Sequence, residues 1–118
     1  SAEQDNPSAW VNMGRIYEYG EGLAQDDAKA VYWHLKAAEY GDIYAQRHLA
    51  KHYHEGKGVA RDDVSALMWV TLALAKSTPK NGWYPELAAL RDELQKNLTP
   101  EQIKEAAQKE EAWKAAHP

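Results

Sequence analysis

No cysteine occurs among the 118 residues, which excludes a disulfide framework and a thiolate nucleophile and is compatible with either redox compartment. Phenylalanine is missing too, and Ile and Thr are scarce. The 44% apolar share is built instead from Ala, Leu, Val, Tyr and Trp, a mixture that favours helices over strands. Long apolar runs are absent. The longest, Ala66 to Ala75, is interrupted by Thr71 and falls short of the roughly 20 residues that cross a bilayer. Nor is there an excess of positive charge: with a net charge of −4 and scattered Lys and Arg, the chain has no electrostatic reason to approach a phosphate backbone. Nucleic acid is therefore not an expected partner. An initiator Met is lacking as well, as expected of a processed form from which any signal peptide has gone.

What is present is length for one domain with a continuous core, and a repeat. Laid against itself at an offset of about 36 residues, a length typical of helical solenoids, the chain comes into register. Ala9 falls on Ala45, Met13 on Leu49, Gly14 on Ala50, Tyr17 on Tyr53, Gly20 on Gly56, Gly22 on Gly58 and Leu23 on Val59. The match continues with Asp26 and Asp27 on Asp62 and Asp63, Ala30 on Ala66, Trp33 on Trp69 and Ala37 on Ala73.

Each copy reads as two helices. In the first, helix A, the residues Ala9, Met13, Gly14 and Tyr17 share one face, and the small Gly14 permits close approach of a neighbouring helix. Gly20 and Gly22 end it, because glycine reaches positive backbone angles without steric strain. Asp26 or Asp27 then caps helix B by accepting from its free amides. Helix B runs to about Tyr40, burying Ala30, Trp33 and Ala37 with Val31 beside them, until Gly41 stops it.

The last third departs from this scheme. Ser77 to Gly82 reads as a loop, followed by a helix with a Leu87, Leu90 and Leu94 stripe. Thr99-Pro100-Glu101-Gln102 supplies a cap, a first-turn proline and a capping-box Gln. The final helix is expected to turn Ile103, Ala106, Ala107 and Trp113 inward and to carry Glu105–Lys109 and Glu110–Lys114 as exposed pairs. A degenerate third repeat that closes the stack accounts for this stretch. The expected organisation is a single domain over 1–118, with repeats over about 6–41 and 42–77 and a degenerate capping pair over 83–116.

The pattern Ala9-x-x-x-Met13-Gly14-x-x-Tyr17-x-x-Gly20-x-Gly22-Leu23, Asp26-Asp27-x-Lys29-Ala30-x-x-Trp33, Lys36-Ala37-Ala38-Glu39-x-Gly41 resembles the Sel-one-like repeat (SLR) family, a relative of the tetratricopeptide repeats. The likeness covers about 75 residues in two copies. The Thr99 to Gln102 segment also resembles the closing helix of small bacterial members. Ala50 in place of the glycine, Val70 and Thr71 after Trp69, and the lost third glycine turn are the departures. The cysteine-paired secreted subgroup is excluded by the absence of cysteine.

The resemblance implies an all-α, right-handed solenoid of antiparallel helix pairs, whose A helices line a concave surface that binds partner proteins or peptides. It also implies adaptor, scaffold or assembly roles, and in some small bacterial members immunity through binding of a toxin. Alignment with tetratricopeptide positions puts Val11, Arg15, Glu18 and Tyr19 in the concavity of the first copy, and Arg47, Lys51, His54 and Glu55 in the second, with His48 at the edge. Resemblance to small exported members favours the periplasm over the cytoplasm.

Residues reminiscent of chemistry have simpler readings. His48 and His52 are four apart on a helix, with His54 as a third nitrogen, so zinc is conceivable. The protease motif, however, needs Glu directly after the first His, and Leu49 stands there as a core position. No carboxylate or Cys completes a recognisable spacing, so neither metal nor cofactor is expected and the histidines read as surface residues. Asp26-Asp27 and Asp62-Asp63 read as caps rather than acid–base pairs. Gly20-Glu21-Gly22 and Gly56-Lys57-Gly58 follow helices, and read as turns rather than phosphate loops. Trp33 and Trp69 read as core. Trp10, Tyr19, Tyr44 and Tyr84 are either satellite packing or exposed anchors.

A non-enzymatic interaction module is thus the leading expectation, with toxin neutralisation its most concrete version. An adaptor or structural subunit of a larger assembly is the intermediate reading. A hydrolase or metal-dependent enzyme using the His and Asp groups is the rival. The sequence favours the first, because the residues most suggestive of catalysis sit where the repeat needs caps and turns.

Overall fold

The computed structural model describes residues 6–20 and 24–117. Glu21, Gly22 and Leu23, assigned above to the first turn, lie outside the described residues. Six helices and no strand are present among the described residues: α1 (Pro7–Tyr19), α2 (Asp27–Glu39), α3 (Ile43–Glu55), α4 (Asp63–Ala75), α5 (Tyr84–Asn97) and α6 (Pro100–Ala116). They form an all-α solenoid in which each helix from α1 to α5 packs on its chain neighbour, and α6 returns past α5 to lie on α4.

The boundaries follow from local chemistry repeated at the same register. Gly20 and Gly56 end α1 and α3 in the left-handed region, at φ 70° and 69°, where a side chain with a Cβ is disfavoured. The chain then reverses, and Asp26 N–H donates to the Tyr17 carbonyl as Asp62 N–H does to Tyr53, both at 2.9 Å. The same two aspartates cap the next helices, accepting from Lys29 N–H at 3.2 Å and Ser65 N–H at 3.0 Å. Asp27 and Asp63 sit in the first turns, where negative charge suits the helix dipole. Thr99 and Gln102 form the reciprocal capping box.

The core is centred on α4. Val64, Ala66, Leu67, Trp69, Val70, Leu72, Ala73 and Leu74 are all buried, because α3, α5 and α6 cover this helix from different sides. Leu49, Leu87 and Leu94 complete it and are essentially inaccessible. Truncating such a side chain to Ala costs about 2–5 kcal/mol.

Two packing expectations are corrected. Trp33 is only half-buried, whereas its counterpart Trp69 is buried. Trp69 meets Trp113 of α6 edge-on at 6.0 Å; α2 has no such covering helix, and Trp33 meets its neighbour Tyr32 instead. Ala107 is exposed rather than inward-facing, since α6 lays only a narrow stripe of Ile103, Ala106 and Trp113 on the core. Trp10 resolves to packing: it is buried, edge-on to Tyr40 at 5.7 Å, with Lys36 over its ring.

Candidate functional site

The A helices α1, α3 and α5 are joined along one face by polar side chains. Between α3 and α5, Lys51 pairs with Glu86, His54 lies 3.8 Å from Glu93, and the Arg47 guanidinium sits 5.1 Å from the Trp83 ring centre. Between α1 and α3 the link is Glu18. Its carboxylate accepts from His34 Nε2 at 2.8 Å, faces His52 Nε2 at 3.3 Å, and lies 3.1 Å from His48 Nδ1 through its other oxygen.

This cluster is held from behind. The Gly56 turn brings the Lys57 carbonyl back over α3, where it lies 2.9 Å from His52 Nδ1. His34 comes from α2, on the same buried stripe as Ala30, Ala37 and Ala38. Its ring fits because position 14 is glycine: a Cβ there would lie 2.7 Å from His34 Cε1 and 2.8 Å from Nδ1. Gly14 therefore makes room for a particular side chain. One cost remains, because His34 Nδ1 is buried without a hydrogen-bond partner.

Burial alone would push the Glu18 carboxyl up, but hydrogen bonds from His34, His48 and His52 outweigh it and hold the group far below the ordinary carboxylate range. Burial lowers His34, and the attraction of Glu18 does not compensate. Burial also acts to lower His52, but its contacts with Glu18 and the Lys57 carbonyl win, so His52 is raised.

Two clefts open on this face. One of about 180 Å³ lies between α1 and α3, with Glu18, His48 and His52 in its wall beside Tyr19 and Asp27. The next, of about 360 Å³, lies between α3 and α5, lined by His54, Glu86 and Leu90 among others. Lys51 and Glu55 border both. A larger cleft of about 470 Å³ lies elsewhere, bordered by Gly41, Lys76 and Trp113; it contains none of the residues expected at the site.

The expected site residues separate into two groups. Arg15 is exposed, Tyr19 is 58% exposed, and Lys51, His54 and Arg47 are half-buried along the same face. Val11 is half-buried against the core, while Glu18 and His48 lie in the polar cluster. The reading of His48 and His52 as surface histidines is corrected: both are buried, because the polar side of α3 turns towards α1 rather than to solvent. His54 does not join them. It pairs with Asp63 at 2.9 Å, which Arg61 also engages. The residue missed was His34, although its spacing from Ala30 and Ala37 places it on a buried helix face.

The family model described as Sel1 repeat matches residues 7–42 and 43–77. Among solved structures, the chain is similar to c5321, a protective antigen present in uropathogenic Escherichia coli strains and displaying an SLR fold. There the identity is 30% and the TM-score 0.82, over 95% of this chain and 23% of that one. It is also similar to a Sel1 repeat protein from Oxalobacter formigenes, at 28% identity and a TM-score of 0.61, over 77% of this chain and 45% of that one. No curated protein matches the chain.

Proposed function

The chain belongs to the Sel1 repeat family, and from that premise we propose that it is a non-enzymatic module that binds a partner protein through the face of α1, α3 and α5. The observation that carries this reading is the pair of adjoining clefts that share Lys51 and Glu55. A row of openings between successive A helices suits an extended segment with side chains at intervals, as solenoids use their long surfaces. Tyr19, Arg15 and Lys51 are the outward contacts, with an aromatic and an arginine among them, types enriched at binding hot spots. The aspartates that resemble acid–base pairs are engaged otherwise: Asp26 and Asp62 cap helices, and Asp63 holds Arg61 and His54. That use supports binding over catalysis.

The test begins with capture of a partner from the source organism on immobilised chain, followed by calorimetry on the purified pair. Tyr19→Ala combined with Lys51→Glu is expected to weaken binding by about 30-fold or more, the equivalent of one lost hot spot, while Lys104→Ala on the exposed side of α6 leaves it unchanged. Affinity that survives the double variant within about threefold, well below a hot-spot loss, moves the binding face elsewhere. Toxin neutralisation is the narrower form of this reading. It requires that the captured partner have an activity of its own which the chain abolishes.

A further inference from the structure

Three helices contribute Glu18, His34 and His52 to one point, and their ligand-type atoms all lie within 4.8 Å of one another. Of the two distances from Glu18 Oε1, the 3.3 Å to His52 Nε2 matches the edge of a tetrahedron around zinc, about 3.3 Å for metal–ligand bonds near 2.05 Å, and the 2.8 Å to His34 Nε2 is a hydrogen-bond distance that opens by about 0.5 Å when a metal replaces the proton. Two imidazoles and a carboxylate are a recurrent zinc ligand set with one position left over.

The surroundings favour a cation as well. In a neutral His52, Nδ1–H donates to the Lys57 carbonyl, so Nε2 presents its lone pair to a carboxylate oxygen. Two acceptors then face each other, a conflict that a proton on His52 Nε2 removes in the metal-free protein and that a metal cation removes in the proton's place. A backbone carbonyl that fixes the second ring nitrogen is also the usual outer-shell support of a metal-bound histidine, and His48 on the other Glu18 oxygen supports the carboxylate in the same way. His34 is wholly buried and keeps Nδ1 unpaired, a loss that apolar packing would avoid and that a metal on Nε2 leaves in place; what the burial secures is Nε2 beside Glu18. The second repeat shows the apolar alternative: Ala50 and Val70 occupy the positions of Gly14 and His34, and both are buried in the apolar core.

We propose that Glu18, His34 and His52 bind a divalent transition metal, zinc in the first instance, which ties α1, α2 and α3 together in the wall of the first cleft. Sequence spacing alone pointed to no metal, because the ligands come from three different helices. Glu18 and His52 border the cleft, which sets the site beside whatever occupies it. The site stands whether or not the partner-binding reading does.

The test uses the whole chain, stripped with a chelator and titrated with Zn²⁺ by calorimetry, with Co²⁺ as a spectroscopic probe. One equivalent of zinc is expected, with the visible absorption of tetrahedral cobalt and a higher Tm. Glu18→Gln, which preserves side-chain shape, and His34→Asn each lower zinc affinity by more than about 100-fold, beyond the effect of an outer-shell change; His48→Asn lowers it by about 10- to 100-fold. His54→Asn leaves it unchanged. Long-range ¹H–¹⁵N spectra of the wild-type histidine rings need no variant to fold: zinc shifts Nε2 of His34 and His52 and leaves the rings of His54 and His117 in place. Absence of saturable zinc binding overturns the site, as does binding that survives Glu18→Gln or moves only His54 or His117.

Discussion

The two repeats share their punctuation and differ in what they enclose. Gly20 and Gly56, Asp26 and Asp62, and the amide bonds to Tyr17 and Tyr53 superimpose position by position. Inside, repeat one places Gly14, Glu18 and His34 where repeat two has Ala50, His54 and Val70. The first set encloses a buried charged cluster; in the second, Ala50 and Val70 belong to the apolar core and the polar contacts are those of His54 with Asp63 and Glu93. Turns and caps thus set the path of the solenoid, while the layer between the helices is free to carry something else.

The largest difference between the repeats is expected at their shared tryptophan. Trp69→Ala removes a buried ring facing Trp113 and is expected to destabilise by about 3–5 kcal/mol. Trp33→Ala, at a half-buried site, is expected to cost about 1 kcal/mol, near the centre of the range for point changes. Urea unfolding of both variants is the check, and equal losses would erase the distinction between an outer and a covered helix B.

An exchange of interiors comes next in size. Gly14→Ala sets a Cβ against the His34 ring; overpacking of about 1–3 kcal/mol outweighs the gain of about 1 kcal/mol in helix propensity. A net loss of up to about 2 kcal/mol follows. Adding His34→Val, which installs the repeat-two pair, is expected to restore wild-type stability, so the two changes are strongly coupled. A single Gly14→Ala variant as stable as wild type shows that the ring is not held there.

The smallest effect sharpens the comparison from the side of repeat two, through pH. Burial would raise Asp62 and Asp63, but the bonds from Ser65 to the first, and from Arg61 and His54 to the second, hold both below the ordinary carboxylate range. A lowered folded pKa means stability that is fully present above the unfolded value, about 3.9, and is lost as pH falls through the folded value. Asp62→Asn with Asp63→Asn is therefore expected to flatten the acid limb of Tm against pH. An acid limb as steep as that of wild type assigns the loss to other carboxylates.

Most of the scaffold was legible in the sequence because its determinants are local. Asp62 caps a residue three positions away, Gly56 ends its own helix, and Thr99 and Gln102 complete each other within one turn. The polar cluster was not legible in the same way. Glu18 meets His48 and His52 across separations of 30 and 34 residues, and a helical period cannot say which neighbour a polar face will meet. The unequal burial of Trp33 and Trp69 escaped for a related reason, since it depends on α6, which the repeat does not encode. His34 was within reach: a polar residue on an otherwise alanine-lined stripe, next to a glycine on the partner helix.

The concentration of apolar contact on α4 also gives the chain a graded resistance to opening. In a stack where each unit leans on its neighbours, the pieces with fewest covered sides open first. α4 is enclosed by three helices, whereas the main helix packing that joins α1 and α2 to the rest is that of α2 on α3. Amide exchange should therefore be slowest along α4 and faster along the first hairpin, which can detach as a cooperative unit while the remainder stays folded. Every such excursion parts Glu18 and His34 from His52, so the lifetime of the cluster is the lifetime of that hairpin in its docked state.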